Sequence, residues 1–502
     1  MTLSGEELIL GLVAVLPEVL LLALGFIVIT ADLFMRRRGD RRALGSVSII
    51  GLLVVLVVIG VQTVPMLNPP ANAPAITPVL GGMVKVDLTV QLFRIMFVIA
   101  AILTCLLTLG LKSIRQTGEY YGLLIFSTLG MGMMAAASNI VMLYVALETT
   151  SIALYMLVGF LRDTRPSTEA GMKYFLFGAF ASTVLLYGLS LLFGFTGKTN
   201  YGDVSAALTK LVAGQQTLPV MIALVLVTVG FGFKIAAVPF HMWTPDVYEG
   251  APTPITAFIS VASKAAGFAV LVRFFLLVFG PVQDQWVGLV AALSTATMIV
   301  GNVLAISQRS IKRMLAYSSI AQAGYVLIGV ASVGTAGTAS VVFYLTAYVL
   351  TNIAAFAVVE VATNMNGSEL IKDMAGISRR APGIALGLLA AMLSLGGVPP
   401  LAGFFAKFFI FNAAVGYTDS TGQHVLVWLA IVGVLNSIVA LYYYLIILKV
   451  AYVDRAEGDE VPAQVSGSLV TTLLLTSAGM LVMGVLATPW YTLATQAAQT
   501  IK

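Results

Sequence analysis

Glu148, Lys234, Lys264 and Lys407 are ionisable residues set inside long apolar runs. Glu148 lies in NIVMLYVALETTSIALYMLVGF, Lys234 in GFGFKIAAVPFHMW, Lys264 in PTPITAFISVASKAAGF and Lys407 in GGVPPLAGFFAKFF. A charge at the centre of a bilayer costs at least ~2.5–3.5 kcal/mol, so such residues are usually kept for a function. Each lysine is flanked by small residues or prolines, whereas a snorkelling lysine would sit nearer the end of its run. Burial disfavours an ammonium and a nearby carboxylate favours it, so a glutamate–lysine pair that closes and opens can bind and release a proton. Moving one charge through 100 mV takes about 2.3 kcal/mol, and two units of lysine proton affinity are worth about 2.7 kcal/mol. The chemistry on offer is therefore proton carriage at mid-membrane depth. A packing role stays open for each, as for Glu148 beside Thr149 and Thr150.

Other ionisable residues read differently. His241, in PFHMWTPDVYEG, could shuttle a proton near neutral pH or cap the end of a broken helix. Asp246 and Glu249 in the same stretch could feed protons from the inner side or simply be hydrated. Arginine stays protonated and carries protons poorly. Arg94 is expected near a span end, where it can snorkel, and Arg273 is expected to neutralise a carboxylate or reach an interface. Glu18 follows Pro17 near mid-span, with structural and relay roles both open. Glu360 is expected to be solvated near an inner helix end.

The elements that hold these residues follow from composition. The chain has 502 residues, 59% hydrophobic and 10% charged, with a mean hydropathy of +0.99. A water-soluble shell needs about a quarter charged residues. Apolar runs of about twenty residues recur from end to end, each long enough to cross the hydrocarbon core as a helix. The expected fold is all-α and integral to the membrane, with about fourteen transmembrane helices. The fifth run (139–161) holds Glu148, the seventh (218–240) Lys234, the eighth (253–279) Lys264 and the twelfth (383–415) Lys407. Pro239 and the Pro399–Pro400 pair should break helices 7 and 12. Broken helices at corresponding places in two halves point to a transporter with inverted repeats. The division expected is an N-terminal three-helix segment at 1–115, a first five-helix repeat at 116–282, a second, inverted one at 283–452, and a C-terminal loop and helix at 453–502. The two lysine-bearing breaks are expected to correspond.

Basic residues gather on one side of this layout. Arg36, Arg37, Arg38, Arg41 and Arg42 share it with Lys112 and Arg115, and with Arg162, Arg165 and Lys173. The loops near Arg309, Lys372 and Lys449 continue the bias, while the other side holds Lys85, Lys198, Lys210 and Lys502. The positive-inside rule then places both termini outside. The acidic start, Glu6 and Glu7, does not resemble a cleavable signal. Cys105 is the only cysteine, too few thiols for an iron–sulfur cluster. There is no G-x-G-x-x-G after a strand and no Walker loop. Any linked redox chemistry is expected in partner subunits, and no cofactor or metal is expected in this chain. Scattered basic residues give no nucleic-acid signature.

KIAAVPFHMWTPDVYEGAPTPITAFISVASKAAGF (234–268) resembles the signature of the antiporter-like, proton-translocating membrane subunits of respiratory complex I, most closely their subunit N branch. KRMLAYSSIAQAGY (312–325), LSLGGVPPLAGFFAKF (393–408) and YVALETTSIALYMLVGF (144–160) match the same family, so the likeness covers roughly 120–450. The resemblance implies fourteen helices in two inverted five-helix repeats. It implies a glutamate on helix 5, lysines on helices 7 and 8 and a charged residue on helix 12, which Glu148, Lys234, Lys264 and Lys407 match. It further implies partner membrane subunits of a quinone-reducing complex, with NADH, FMN, iron–sulfur clusters and quinone bound by those partners. The implied location is the cell inner membrane, or a thylakoid membrane. A cation/proton antiporter exchanging Na⁺ or K⁺, and a purely structural scaffold, stay open beside this reading.

Overall fold

The computed structural model describes residues 5–35, 42–68, 77–111, 117–455 and 465–501. Arg36, Arg37, Arg38, Arg41, Lys112, Arg115 and Lys502, used above for the charge bias, lie outside the described residues. Among the described residues the elements are helices, joined by isolated β-bridges only. In chain order they are α1 (Leu16–Phe34), α2 (Arg42–Leu67), α3 (Leu88–Leu109), α4 (Gly118–Ala136), α5 (Ile140–Val158) and α6 (Arg165–Thr196). Then come α7, broken into Thr217–Ile235 and Thr244–Gly250, α8 (Thr253–Leu277), α9 (Gln283–Ile306), α10 (Ile311–Ala331) and α11 (Thr335–Asn366). Last are α12, broken into Pro382–Gly396 and Ala402–Gly416, α13 (Val427–Tyr452) and α14 (Gly467–Val485). Twelve described helices are long and apolar enough to cross a bilayer. The halves of α12 are each too short to cross alone. Long but less apolar, α4 carries glycines and tyrosines and packs almost wholly inside protein, where lipid does not set its composition.

Packing divides the helices into a core and a rim. The most apolar stretch of α8 is entirely buried, and α10 and α11 are nearly so, whereas α2 hides a third of its own. Rim helices turn Ile50, Val57, Phe180 and Ile438 outward, as expected where the solvent is hydrocarbon. Tyr201–Ala213 lies wholly between the expected spans, while Gly5–Ala14 and Ala487–Gln499 are separate short helices that overlap the ends of the first and last of them. Ala487–Gln499 folds back so that Tyr491 stacks on Phe409 of α12 at 3.9 Å.

Matching hydrogen bonds recur in two parts of the chain. Before α5, Ile140 N–H donates to Thr199 O and Tyr201 N–H to Ser138 O; before α10, Ile311 N–H donates to Glu369 O and Ile371 N–H to Arg309 O. The helices that precede Thr199 and Glu369, α6 and α11, have 32 residues each. Both end at a left-handed glycine, Gly197 and Gly367, with φ 65°. The breaks match as well. Ala237 N–H donates to Gly232 O and Ala236 N–H to Phe233 O, while Val398 N–H donates to Leu393 O and Gly397 N–H to Ser394 O. These are Schellman caps, which stop a helix and leave its last carbonyls unused. Ala236 (φ 60°) and Gly397 (φ 83°) supply the left-handed residue, with Pro239 and Pro400 three positions on.

Candidate functional site

The register of the breaks corrects one expectation. With Ala236 matched to Gly397 and Pro239 to Pro400, Lys234 falls opposite Leu395 and Lys407 opposite Asp246. The broken helices correspond, but their lysines do not. Lys234 sits just before its break and Lys407 just after. The spacing from each lysine to its prolines already differs in sign, and that was the readable signal.

None of the three lysines reaches an interface; Lys234, Lys264 and Lys407 are 3%, 2% and 6% exposed. Lys234 Nζ donates to Ser151 Oγ at 2.9 Å. Ser151 stands one turn from Glu148 on α5, on a neighbouring face position. Glu148 is half-buried and accepts from Ser182 of α6. Glu148 and Lys234 therefore share a neighbourhood through Ser151 without closing a direct ion pair. On the other side of Lys234 lies Gly267 of α8, where an added Cβ would stand 3.2 Å from the lysine Cγ. Gly267 is three residues beyond Lys264, so α8 carries both the lysine and the space for its neighbour.

Lys264 begins the helical turn after a π-turn at Ile259–Ser263. Such turns widen a helix and recur at functional sites. Its Nζ donates to Ser319 O at 2.8 Å and Ser319 Oγ at 2.5 Å on α10, and lies 5.8 Å from the Tyr248 ring centroid. Lys407 Nζ donates to Leu395 O at 2.9 Å and Gly396 O at 3.2 Å, and lies 4.9 Å from the Tyr325 ring centroid. Those carbonyls are the ones the Schellman cap leaves unused, at the negative end of a half-helix dipole. The helix break thus builds the seat for the cation. Among the described residues neither lysine has a carboxylate partner; carbonyls and ring faces hold both, with the Ser319 hydroxyl added at Lys264.

Polar groups line the way between these two lysines along α10. Ser318, next to Ser319, shares a hydrogen bond of 2.5 Å with Tyr444 OH. Gln322 Nε2 donates to Tyr444 OH at 3.1 Å and to Leu395 O at 3.3 Å, the same carbonyl that holds Lys407. Tyr344 donates to Gln322 Oε1. Sequence reading did not single out Ser151, Ser182, Ser319, Gln322 or Tyr444. SSIAQAG (318–324) within α10 was the signal available for two of them, Ser319 and Gln322.

The remaining ionisable residues separate cleanly. His241 is half-buried in the break of α7 and hydrogen-bonds to none of the four. Arg94 does not snorkel: it is 2% exposed and forks onto Glu18, Nε to Oε1 at 2.8 Å and Nη2 to Oε2 at 2.7 Å. Arg94 lies deep because α1 supplies the carboxylate there. Arg273 neutralises a carboxylate, as one expectation had it, pairing with buried Asp87 and donating to Ala135 O at 3.0 Å. Glu360 is 6% exposed, because α11 runs through the core. It lines a cavity of about 780 Å³ on the basic face, with Asp246, Glu249, Lys173, Lys312 and Arg313. Asp246 is held there by Lys173 at 2.7 Å and Arg313 at 2.8 Å, and Glu249 by Arg313 at 2.9 Å.

The chain is similar to known proteins over most of its length. Residues 137–436 match the family model described as NADH:quinone oxidoreductase/Mrp antiporter, TM. The chain is 43% identical to NADH-quinone oxidoreductase subunit N of Desulforamulus reducens, covering 92% of each. It is 39% identical to the protein of the same description from Trichlorobacter lovleyi, covering 98% of each. Among solved structures it is similar to a chain in respiratory complex I from Thermus thermophilus with bound aureothin. That match has a TM-score of 0.75 at 30% identity and covers 95% of this chain and 99% of that one.

Proposed function

The chain belongs to the NADH-quinone oxidoreductase subunit N family, antiporter-like membrane-arm subunits of respiratory complex I, and on that premise we propose that it moves protons through a relay of Glu148, Lys234, Lys264 and Lys407. The observation that carries this reading is the seating of Lys264 and Lys407. Both are buried, both are held by neutral groups, and hydroxyls and carbonyls of α10, α12 and α13 run between them.

The roles follow from the partners. Glu148 is half-buried at the edge of the bundle, where a neighbouring membrane subunit can reach it. Charge arriving there draws Lys234 from Ser151 toward Glu148 or lets it return. A change of charge at Lys234 is felt by Lys264 across Gly267, since electrostatic coupling is strong where water is excluded. Lys264 hands its proton toward Lys407 along Ser319, Ser318 and Tyr444. Lys407 then exchanges it with one side of the membrane.

The driving energy comes from electron transfer, from NADH or ferredoxin to quinone, in partner subunits that hold FMN and iron–sulfur clusters. Those partners include neighbouring antiporter-like and small membrane subunits. The basic bias places the cavity side inward and both termini outside, in a cell inner membrane or a thylakoid membrane. The matched hydrogen bonds around α5–α6 and α10–α11, and around the two breaks, support division into repeats at 116–282 and 283–452. The segments 1–115 and 453–502 flank them.

In membrane vesicles holding the native complex, Lys264→Ala and Lys407→Ala should each cut proton accumulation at least about tenfold, the usual scale for losing a proton-transfer group. Subunit composition should stay normal. Full pumping without either lysine would overturn the relay. Vigorous Na⁺/H⁺ exchange by the isolated chain in proteoliposomes would replace it with a cation antiporter.

A further inference from the structure

We propose that Glu360 loads protons from the basic-face cavity onto the relay, and that Phe356 is the apolar gate between them. The inference rests on the relay reading, which it extends to the point of entry. Five acids line the cavity: Glu169, Asp246, Glu249, Glu360 and Glu369. Four are held by cations, Glu169 and Asp246 by Lys173, Glu249 by Arg313, and Glu369 by Lys312 at 2.6 Å. Among the described ion pairs Glu360 has none. Its hydrogen-bond partner among the described residues is Asn364, whose Nδ2 donates to Oε1 at 3.0 Å. An ion-paired carboxylate resists protonation; Glu360 is the acid of this cavity left to accept a proton.

From Glu360 a stripe leads inward. Tyr344, Tyr348, Asn352, Phe356 and Glu360 recur every fourth residue on α11 and so form one ridge of successive neighbours that winds part-way around the helix. At its inner end Tyr344 hydrogen-bonds to Gln322 between Lys264 and Lys407. Asn352 Nδ2 donates to Ser260 Oγ at 2.6 Å, in the π-turn that precedes Lys264. Asn352 Oδ1, and Thr363 Oγ1 on the cavity wall, are buried without a protein partner, acceptors placed to either side of Phe356.

Phe356 is the apolar member of this stripe. It is fully buried, and its ring lies 6.3 Å from that of Tyr248, the ring that faces Lys264. Glu360 and Asn352 are two helical turns apart, about 12 Å along the axis, too far for a direct transfer. A proton crosses when the Phe356 ring swings aside and water enters; with the ring in place the path is shut. A pump needs such a barrier, because a permanently wet path would let protons return.

The test uses membrane vesicles holding the native complex. Glu360→Gln keeps the shape and the bond from Asn364, so a structural role would survive it. Proton accumulation should nevertheless fall about tenfold, and Glu360→Asp should restore most of it. Phe356→Ala should assemble and should speed the decay of a preformed pH gradient several-fold with turnover inhibited. Pumping at the unmodified rate by Glu360→Gln would overturn the loading role, and proton-tight vesicles with Phe356→Ala would overturn the gate. Lys264→Ala, run in parallel, separates the two readings. If it pumps normally the relay itself fails, whereas if it stalls while Glu360→Gln pumps, only the entry assignment fails.

Discussion

The chain buries charge in two ways, and the contrast is what sets the proposed relay apart from the structural ion pairs. In the N-terminal helices Arg94 forks onto Glu18 through two hydrogen bonds, and its Nη1 donates to Gln91 Oε1 at 3.3 Å. Gln91 passes the network to Gln62 at 3.2 Å, and Gln62 to Val13 O at 2.7 Å. Each charge meets its opposite, and guanidinium does not give up its proton. Gly132 of α4 presses against Glu18, where a Cβ would lie 2.6 Å from Oε1. The pair is a clamp joining α1, α3 and α4. Around Lys264 and Lys407 no described carboxylate answers the ammonium; carbonyls, a hydroxyl and ring faces hold it instead. A matched pair fixes a charge; an unmatched lysine among dipoles can lose one.

The comparison breaks most sharply at the clamp. Glu18→Gln leaves Arg94 buried and unpaired, which destabilises by about 3–5 kcal/mol. The expected outcome is a several-fold loss of assembled complex, with normal proton pumping per complex that remains. Replacing both partners, Glu18→Met with Arg94→Met, should recover most of the yield, because a buried pair exchanged for apolar groups is often neutral. Quantifying assembled complex in membranes and dividing pumping by it gives both numbers. Lost pumping per complex in the double variant would move Glu18 from the clamp into the relay.

A smaller effect is expected at the seat of Lys264. Ser319→Ala removes one of two hydrogen bonds and leaves the Ser319 carbonyl in place, so about 0.5–1.5 kcal/mol is at stake. Pumping should fall roughly two- to tenfold, less than for Lys264→Ala in the same vesicles. Equal losses would mean that the hydroxyl is an obligatory carrier rather than part of the seat.

The sequence made the helices legible because lipid imposes length and apolarity on each span, and the prolines announced both breaks. It made the four charged positions legible because charge in an apolar run is costly. What it did not convey was partnership. Nothing in the spacing of Arg94 and Glu18 says that α1 and α3 lie side by side, so Arg94 read as a snorkelling residue. Glu360 read as solvated because its distance along the chain from a loop is short, while its burial depends on α11 running through the core. That the two lysines sit on opposite sides of their prolines was readable from spacing; matching Lys407 to Asp246 in particular needed the hydrogen-bonded register of the two caps.

His241 gives the smallest effect and the finest distinction. It lies in the break of α7, and no hydrogen bond joins its side chain to Ser151, Ser319, Leu395 or the other groups that seat the relay lysines. Its neighbour Met242 is 70% exposed, and Trp243 turns inward to donate from Nε1 to Phe233 O at 3.2 Å. The local chain is therefore fixed by Trp243, with Tyr174 stacked on it at 4.5 Å, and not by the imidazole. His241→Gln keeps a polar group of similar size and should change pumping by less than about twofold across pH 6–8, the range in which an unperturbed histidine titrates. A shuttle would show itself as a loss that deepens on the acidic side of that range, where the imidazolium is most populated. Measured in the same vesicles, such a pH-dependent loss would extend the relay to the break itself and make the helix interruption, rather than the lysines alone, part of the proton path.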